Sequence, residues 1–438
     1  MKVALINLGC SKNLVDAEIM LGFLHRAGFT IKQNPAGCDV AIVNTCAFIK
    51  DAKEEAIDTV FNMIELKKSG KLKKIIVSGC LPQRYGKELA ILMDEVDGFL
   101  GSGNIDKIAV TIAKLFHSRK VVNISQNHFL YKHNTPRLYL TPKHYAYVKI
   151  ADGCDNRCSY CVIPQIRGTY RSRRMESIVK EVKDMADRGV KEVNLISQDT
   201  TFYGNDIYKK FALDSLLKKL VKIKKLKWIR LLYSHPRHLN VSLLGLIREE
   251  PKICKYIDLP IQHINERMLK LMKRKVKASK IKKLIDDIRK IIPDAAIRTT
   301  LMVGFPQETN LEFKELYRYA ADVKFERLGV FTYSAEEGTT AASLKGQIQE
   351  RIKNKRREKI MLMQQKIVEL KNSEFVGQTM EVLIDKVLNK SLASGRTQYD
   401  APDVDGLVYV KGEDLKVGRL ETVRITDNVL YDLTGDKV

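Results

Sequence analysis

The sequence predicts an α/β protein in three parts: an N-terminal parallel α/β domain (residues 1–140), a central partial (β/α)6 barrel (141–346) and, beyond a connector helix (347–373), a small antiparallel β-barrel (374–438). Three observations carry this. Apolar β-branched runs alternate with helical periodicity up to about residue 140, the alternation restarts with a longer count at Tyr145, and past Glu374 it gives way to short alternating runs separated by Gly, Asp and Pro. The length of 438 residues suits two to four domains, and 45% apolar with 29% charged residues is the composition of a folded soluble protein.

In the first part, residues 3–8, 40–44 and 75–78 have the continuous apolar character of strands buried on both faces, and 16–27 is amphipathic between the first two. The apolar stretch at the start of the chain is too short for the core of a secretion signal and is interrupted by Asn7. No run approaches the roughly 20 apolar residues of a bilayer span. A cytoplasmic protein is expected, in which eight cysteines are poor disulfide candidates and metal or catalytic roles gain weight.

The second part reads as six βα units with strands at 145–150, 193–198, 228–234, 255–261, 297–303 and 327–333. Barrels of parallel strands carry their reactive groups at strand C-terminal ends, which here are followed by Asp199, His235, His263, Gly304 and Tyr333. Residues 348–370 form a charged connector helix opening with Lys353, Lys355, Arg356, Arg357 and Lys359. The last part offers strand-like runs at 380–384, 407–410, 420–425 and 429–433, as in a small OB-like barrel.

The cysteines sort by position. Cys154, Cys158 and Cys161 form Cys-x3-Cys-x2-Cys in the loop after the first strand of the central barrel. A closed zinc site wants four protein ligands, and this loop offers no fourth Cys or His, so a cubane iron-sulfur cluster with one iron left open suits it better. Cys10, Cys46 and Cys80 each stand just past the C-terminal end of a predicted parallel strand, the edge at which open α/β sheets bind ligands. One thiol from each of three strands would build a second three-thiolate site there. Cys38 and Cys254 lie near strand starts and read as buried packing residues.

The Cys-x3-Cys-x2-Cys loop on a partial barrel resembles the radical S-adenosylmethionine (SAM) superfamily. That resemblance implies SAM chelating the open iron and being cleaved by one electron to methionine and a 5′-deoxyadenosyl radical, chemistry that the cofactors carry while the protein orients them. It also implies a SAM-binding role near the adenine for Tyr160, and places Gly304-Phe305-Pro306 beside SAM. Two three-cysteine sites, an α/β domain ahead of the barrel and a terminal β-barrel together resemble, over essentially the whole chain, the methylthiotransferases. The family implies two 4Fe-4S clusters, with Cys154, Cys158 and Cys161 holding one and Cys10, Cys46 and Cys80 the auxiliary one, and a TRAM barrel that recognises a macromolecular substrate.

Gly9-Cys10-Ser11-Lys12-Asn13, with Asp16 and Glu18, and the segment opening Ser197-Gln198-Asp199-Thr200 are similar to the branch that methylthiolates the β-carbon of an aspartate in small-subunit ribosomal protein S-twelve. The tRNA-modifying branch usually carries glutamine-methionine at Ser11-Lys12, and a tRNA adenosine methylthiotransferase is the alternative. One departure is Gln307, where the family typically has glycine. The resemblance further implies an electron donor and a sulfur donor as partners and no membrane, and it singles out no catalytic side chain.

Charge bears on the choice. The chain's net charge is +24, a first hint of a polyanionic partner, yet residues 374–438 hold twelve acidic against eight basic residues, a net −4 that leaves +28 elsewhere. A tRNA-binding barrel would be basic, because phosphate neutralisation dominates nucleic-acid affinity, whereas an acidic barrel suits a basic protein substrate. Arg171, Arg173 and Arg174, after the cysteine loop, read as a solvated face.

Overall fold

The computed structural model describes residues 1–126 and 129–438. Strands β1 (Lys2–Asn7), β2 (Thr30–Lys32), β3 (Cys38–Thr45), β4 (Leu72–Gly79), β5 (Gly98–Gly101) and β6 (Val121–Asn123) form one parallel sheet in the order β2-β1-β3-β4-β5-β6. Helices α1 (Ser11–Arg26), α2 (Lys50–Lys68), α3 (Cys80–Leu92) and α4 (Ile108–Leu115) pack on it. The central β3 and β4 are almost wholly buried, hence their continuous apolar text. β2, β5 and β6 lie outside the strands expected from sequence: two are three residues long and partly exposed, and β5 begins and ends on glycine.

The barrel strands are β7 (Tyr145–Lys149), β8 (Ala151–Asp152), β9 (Arg171–Ser172), β10 (Glu192–Ile196), β11 (Trp228–Leu231), β12 (Tyr256–Asp258), β13 (Ala296–Val303) and β14 (Arg327–Thr332). β8 and β9 are a two-residue antiparallel clip, and the other six run parallel as β7-β10-β11 and β12-β13-β14. The Ile229 N–H to the Lys252 carbonyl (2.7 Å) and the Cys254 N–H to the Ile229 carbonyl (3.0 Å) join the halves into one open barrel. Around it run α5 (Ile163–Arg167), α6 (Met175–Asp187), α7 (Leu213–Leu220), α8 (Val241–Glu249), α9 (Glu266–Leu271), α10 (Ala278–Ile291) and α11 (Asn310–Val323). Two strands stop short of the expected 234 and 261: Tyr233 turns into the left-handed region (φ 62°), and Pro260 has no N–H for the ladder.

The connector α12 (Glu350–Ser373) leads to β15 (Thr379–Asn389), β16 (Leu392–Arg396), β17 (Val408–Lys411), β18 (Leu420–Val429) and β19 (Asp432–Lys437), a closed barrel ordered β15-β16-β17-β19-β18. Residues 429–433, expected as one strand, contain the turn between β18 and β19, with Leu430 at φ 53°. β16 has no strand signature in the sequence, since Leu-Ala-Ser-Gly-Arg has no β-branched residue.

Two packing arrangements direct the chemistry to one end of the barrel. Val15 and Ile19 of α1 share an apolar cluster with Tyr147, Ile196, Trp228 and Leu232, so α1 packs directly against the barrel. At the strand starts the C-terminal barrel caps the lumen. Asp400 pairs with Arg327 (2.5 Å), Asp385 with His144 (2.7 Å), Arg396 with Glu192 (2.8 Å), and Asp405 accepts from the Tyr256 hydroxyl (2.6 Å) and pairs with Arg298 (3.4 Å). Asp403, though exposed, accepts from the Tyr147 hydroxyl (3.2 Å). These acids answer charges and hydroxyls inside the molecule, so the net negative charge of the barrel is only partly available to a basic substrate. Glu413 and Asp414 remain exposed.

Candidate active site

Three adjacent strands of the N-terminal sheet deliver one cysteine each to its C-terminal edge. Cys10 caps α1 after β1, Cys46 follows β3, and Cys80 opens α3 after β4. Register holds these ends level, with Asn7 opposite Asn44 and Thr45 opposite Gly79. Asn13 fastens two of the loops, donating to the Leu8 (3.1 Å) and Thr45 (2.9 Å) carbonyls. Gly9 (φ 88°) lets them close: a Cβ there would lie 2.8 Å from that of Cys46. Burial, with the neighbouring thiols of Cys80 and Cys10, pushes the Cys46 thiol up to about 12. Burial likewise raises Cys80, against the pull of Arg167.

The second triad lies on the loop between β8 and α5. The Cys154 N–H reaches the Gly168 carbonyl (3.1 Å), the Ser159 N–H that of Met272 (3.0 Å), and Asn156 donates to Asp199 (2.8 Å). At Gly153 (φ 82°) a Cβ would meet the Thr169 carbonyl oxygen at 2.0 Å, so only glycine allows this closure. Burial, with Asp199 and Cys158, pushes Cys154 up to about 11, and burial with Cys158 and Cys154 pushes Cys161 higher. The buried Arg274 donates to Cys158 Sγ (3.8 Å) and to the Pro260 carbonyl (2.5 Å). Tyr160, half-buried, packs on the cluster of Met268, Met272, Phe305 and Tyr333.

A buried quartet stitches the two sites together. Arg167, at the end of the helix that follows Cys161, pairs with Asp16 (2.5 Å) and Asp152 (3.6 Å), and Lys149 pairs with the same two acids (2.5 and 3.1 Å). Arg167 also donates to Asn13 Oδ1 (2.7 Å) and to Cys80 Sγ (3.4 Å) in the other triad. Burial alone would raise the Asp152 carboxyl, but Lys149, Arg167 and Arg171 hold it below the usual carboxylate range. Beside the quartet, Lys12 Nζ sits 3.0 Å from the centroid of the Tyr233 ring, and Ser11 Oγ lies 3.2 Å from the Tyr233 hydroxyl.

The donor sets fit a polynuclear group better than a single ion. All eight cysteines are free thiols. A tetrahedral zinc with Zn–S of about 2.3 Å needs its sulfurs under about 4 Å apart. Among the described residues only Asp199, His235 and His238 bring three ligand atoms within 4.8 Å of one another, so neither thiol triad has single-ion spacing.

Other residues marked by the sequence do different work. Asp199 binds His238 (2.8 Å) and the cysteine loop. His235 is buried, and burial followed by Arg274 holds it well below the ordinary imidazole value. His263 contacts Glu308 (3.2 Å), which accepts from the Gly304 N–H (2.6 Å) and pairs with Arg356, so this group ties the Gly304-Phe305-Pro306 segment to α12. Tyr333 packs edge-on against Phe305. Arg173 is buried on Glu181 (2.6 Å) and the Tyr131 ring, and Arg171 is half-buried, which leaves only Arg174 of the three on a solvated face. Cys38 and Cys254 are buried away from both triads. The sequence carries no individual signal for Lys12, Arg167, Arg274 or His238; the nearest local signals are Ser11-Lys12 and the His-Pro-Arg-His run at 235–238.

Comparison with known proteins adds to this geometry. Residues 2–101 match the model of uncharacterized protein family UPF0004, 148–320 the radical SAM superfamily, and 376–438 the TRAM domain. The chain is 47% identical over 437 residues to the ribosomal protein uS12 methylthiotransferase RimO of Clostridioides difficile, covering 100% of this chain and 98% of the relative. It is 46% identical over 438 residues to the protein of the same name from Pelobacter propionicus, covering 99% and 97%. Among solved structures, the radical SAM methyltransferase TsrM from Kitasatospora setae, with cobalamin and a 4Fe-4S cluster bound, superposes with a TM-score of 0.56 at 13% identity, covering 76% of this chain and 74% of that one, a likeness of fold.

Proposed function

This chain belongs to the ribosomal protein uS12 methylthiotransferase family, RimO, and from that premise we infer that it is a radical SAM methylthiotransferase acting on the β-carbon of an aspartate in uS12. The alternative tRNA adenosine activity is not favoured, since relatives that match the chain end to end are named for uS12. The observation that carries the rest is the pair of thiol triads facing one seam, with Arg167 following one of them and touching the other. When bound, two 4Fe-4S clusters and SAM would supply the one-electron chemistry and the methyl group, and the sulfur would come from a sulfur donor.

The chain's own residues hold and shield that seam. Cys154, Cys158 and Cys161 are the proposed ligands of the SAM-binding cluster, and Cys10, Cys46 and Cys80 those of the auxiliary cluster. Tyr160 and the Gly304-Phe305-Pro306 segment wall the SAM side. The Lys149–Asp16–Arg167–Asp152 quartet fixes residues 1–140, the proposed auxiliary-cluster domain, against residues 141–346, and the proposed TRAM domain at 374–438 closes the far end of the lumen. No helix of the described residues is long and apolar enough to cross a membrane; the cytoplasmic setting is proposed from the ribosomal-protein substrate of the family. A low-potential electron donor and a sulfur donor complete the proposed partners.

Iron analysis of anaerobically reconstituted protein tests the ligand assignment. Alanine at Cys154, Cys158 and Cys161 should halve the iron and abolish SAM cleavage. Alanine at Cys10, Cys46 and Cys80 should also halve the iron, keep reductive cleavage to 5′-deoxyadenosine and end methylthio transfer. Full iron loading in either triple variant would refute the assignment.

A further inference from the structure

We propose that Lys12 is the residue that recognises the substrate aspartate, by pairing its ammonium with the carboxylate next to the carbon to be modified. The inference rests on uS12 being the substrate.

Lys12 lies in the first turn of α1, two residues past Cys10, and is only 8% exposed. A buried ammonium is costly unless an anion or several hydrogen bonds answer it. Lys12 has the face of the Tyr233 ring and the Ser197 carbonyl at 3.4 Å, and no ion pair among the described residues. The acid one turn along, Asp16, is taken by Lys149 and Arg167. Asp258, on the neighbouring strand, accepts from the Tyr233 N–H (2.8 Å) and faces Arg298 (3.5 Å). Asp258 also feels the Lys12 charge, yet no carboxylate among the described residues is in ion-pair contact with this ammonium, which leaves a direct anionic partner to come from the substrate.

Its position is also what the reaction needs. Ser197 directly follows β10, and the next residues hold the other cysteine loop, Gln198 through Asp152 (3.1 Å) and Asp199 through Asn156 (2.8 Å). Lys12 thus spans the seam between Cys10 and the loop of Cys154, Cys158 and Cys161. In an aspartate the β-carbon is bonded directly to the carboxyl carbon, so clamping the carboxylate here fixes that carbon between the two sites. Tyr233 supports the clamp in a left-handed backbone conformation (φ 62°), held by its N–H bond to Asp258 and by Ser11 at its hydroxyl.

The test compares two substrates on one enzyme preparation: uS12 with its target aspartate, and uS12 with asparagine at that position. The reconstituted wild-type enzyme should favour aspartate by roughly 10- to 100-fold in kcat/KM, the range of a charge-assisted hydrogen bond. Lys12→Met should bring the ratio to within about 3-fold, chiefly through a higher KM for the aspartate form, and Lys12→Arg should restore most of it. Because the ratio is internal to each preparation, partial loss of folded enzyme does not change it, and Lys12→Gln repeats the test should the methionine variant not fold. A wild-type ratio in the methionine or glutamine variant would overturn the role of Lys12 while leaving the enzyme's substrate in place. A wild-type enzyme that modifies neither form of uS12 would overturn both.

Discussion

Replacing Arg167 by methionine should separate the two halves of the site. The quartet holds two cations and two anions, each side chain no more than 4% exposed. Removing the guanidinium leaves two buried carboxylates on one ammonium and takes the N–H donors from Asn13 Oδ1 and Cys80 Sγ. Breaking a buried pair in this way costs about 3–5 kcal/mol. Adding Asp16→Asn restores the balance, because Lys149 and Asp152 remain as a neutral pair at 3.1 Å. The double variant should therefore recover about 2 kcal/mol relative to the sum of the single ones. Trp228, the only tryptophan, is 5% exposed in the cluster joining α1 to the barrel, so its fluorescence in a urea titration reports on this interface. A loss below about 1 kcal/mol for Arg167→Met, or strict additivity, would refute the reasoning.

Three further outcomes follow from particular contacts. Gly153→Ala should displace the cysteine loop, since its Cβ would meet the Thr169 carbonyl oxygen at 2.0 Å, and reconstituted protein should lose the iron of that triad alone. Charge reversal at Asp405 should lower stability, as it faces Arg298 and the Tyr256 hydroxyl; reversal at exposed Glu413 and Asp414 should change stability by under about 0.5 kcal/mol and slow uS12 modification in a salt-dependent way. An unchanged rate would place docking elsewhere. Glu312→Ala removes the capping box with Thr309 and the pair with Arg267 (2.7 Å), costing about 1–2 kcal/mol at pH 7 in thermal unfolding. Against burial, which raises it, Arg267 and Thr309 pull the Glu312 carboxyl from 4.5 to about 2, so this contribution is present above pH 4.5 and lost as pH falls toward 2.

How much of this was legible in the sequence depended on distance along the chain. Cys154, Cys158 and Cys161 share eight residues of one loop, so their spacing alone spoke. Cys10, Cys46 and Cys80 have no local motif, yet each follows a strand, and a parallel sheet brings such positions to one edge. The side chains that join the sites had no such signal. Lys12 meets Ser197 across 185 positions, Arg167 meets Asn13 across 154 and Arg274 meets Cys158 across 116, contacts that only the packed domains create. Gln307 shows a local rule being overridden: it occupies φ 67°, the conformation in which a glycine is at ease, and is held by its N–H to the Gly346 carbonyl (2.8 Å) and by Arg267 on its own carbonyl (2.8 Å). Composition gives the last domain its net negative charge, but only the packed fold turns Asp385, Asp400 and Asp405 inward.

Mass spectrometry of uS12 and of tRNA nucleosides from cells with and without this gene tests the central claim most directly. The account predicts that uS12 carries a methylthio group on one aspartate only when the gene is present, with 2-methylthio-adenosines in tRNA unchanged. An unmodified uS12 in gene-bearing cells, together with gene-dependent methylthio-adenosine in tRNA, would contradict it.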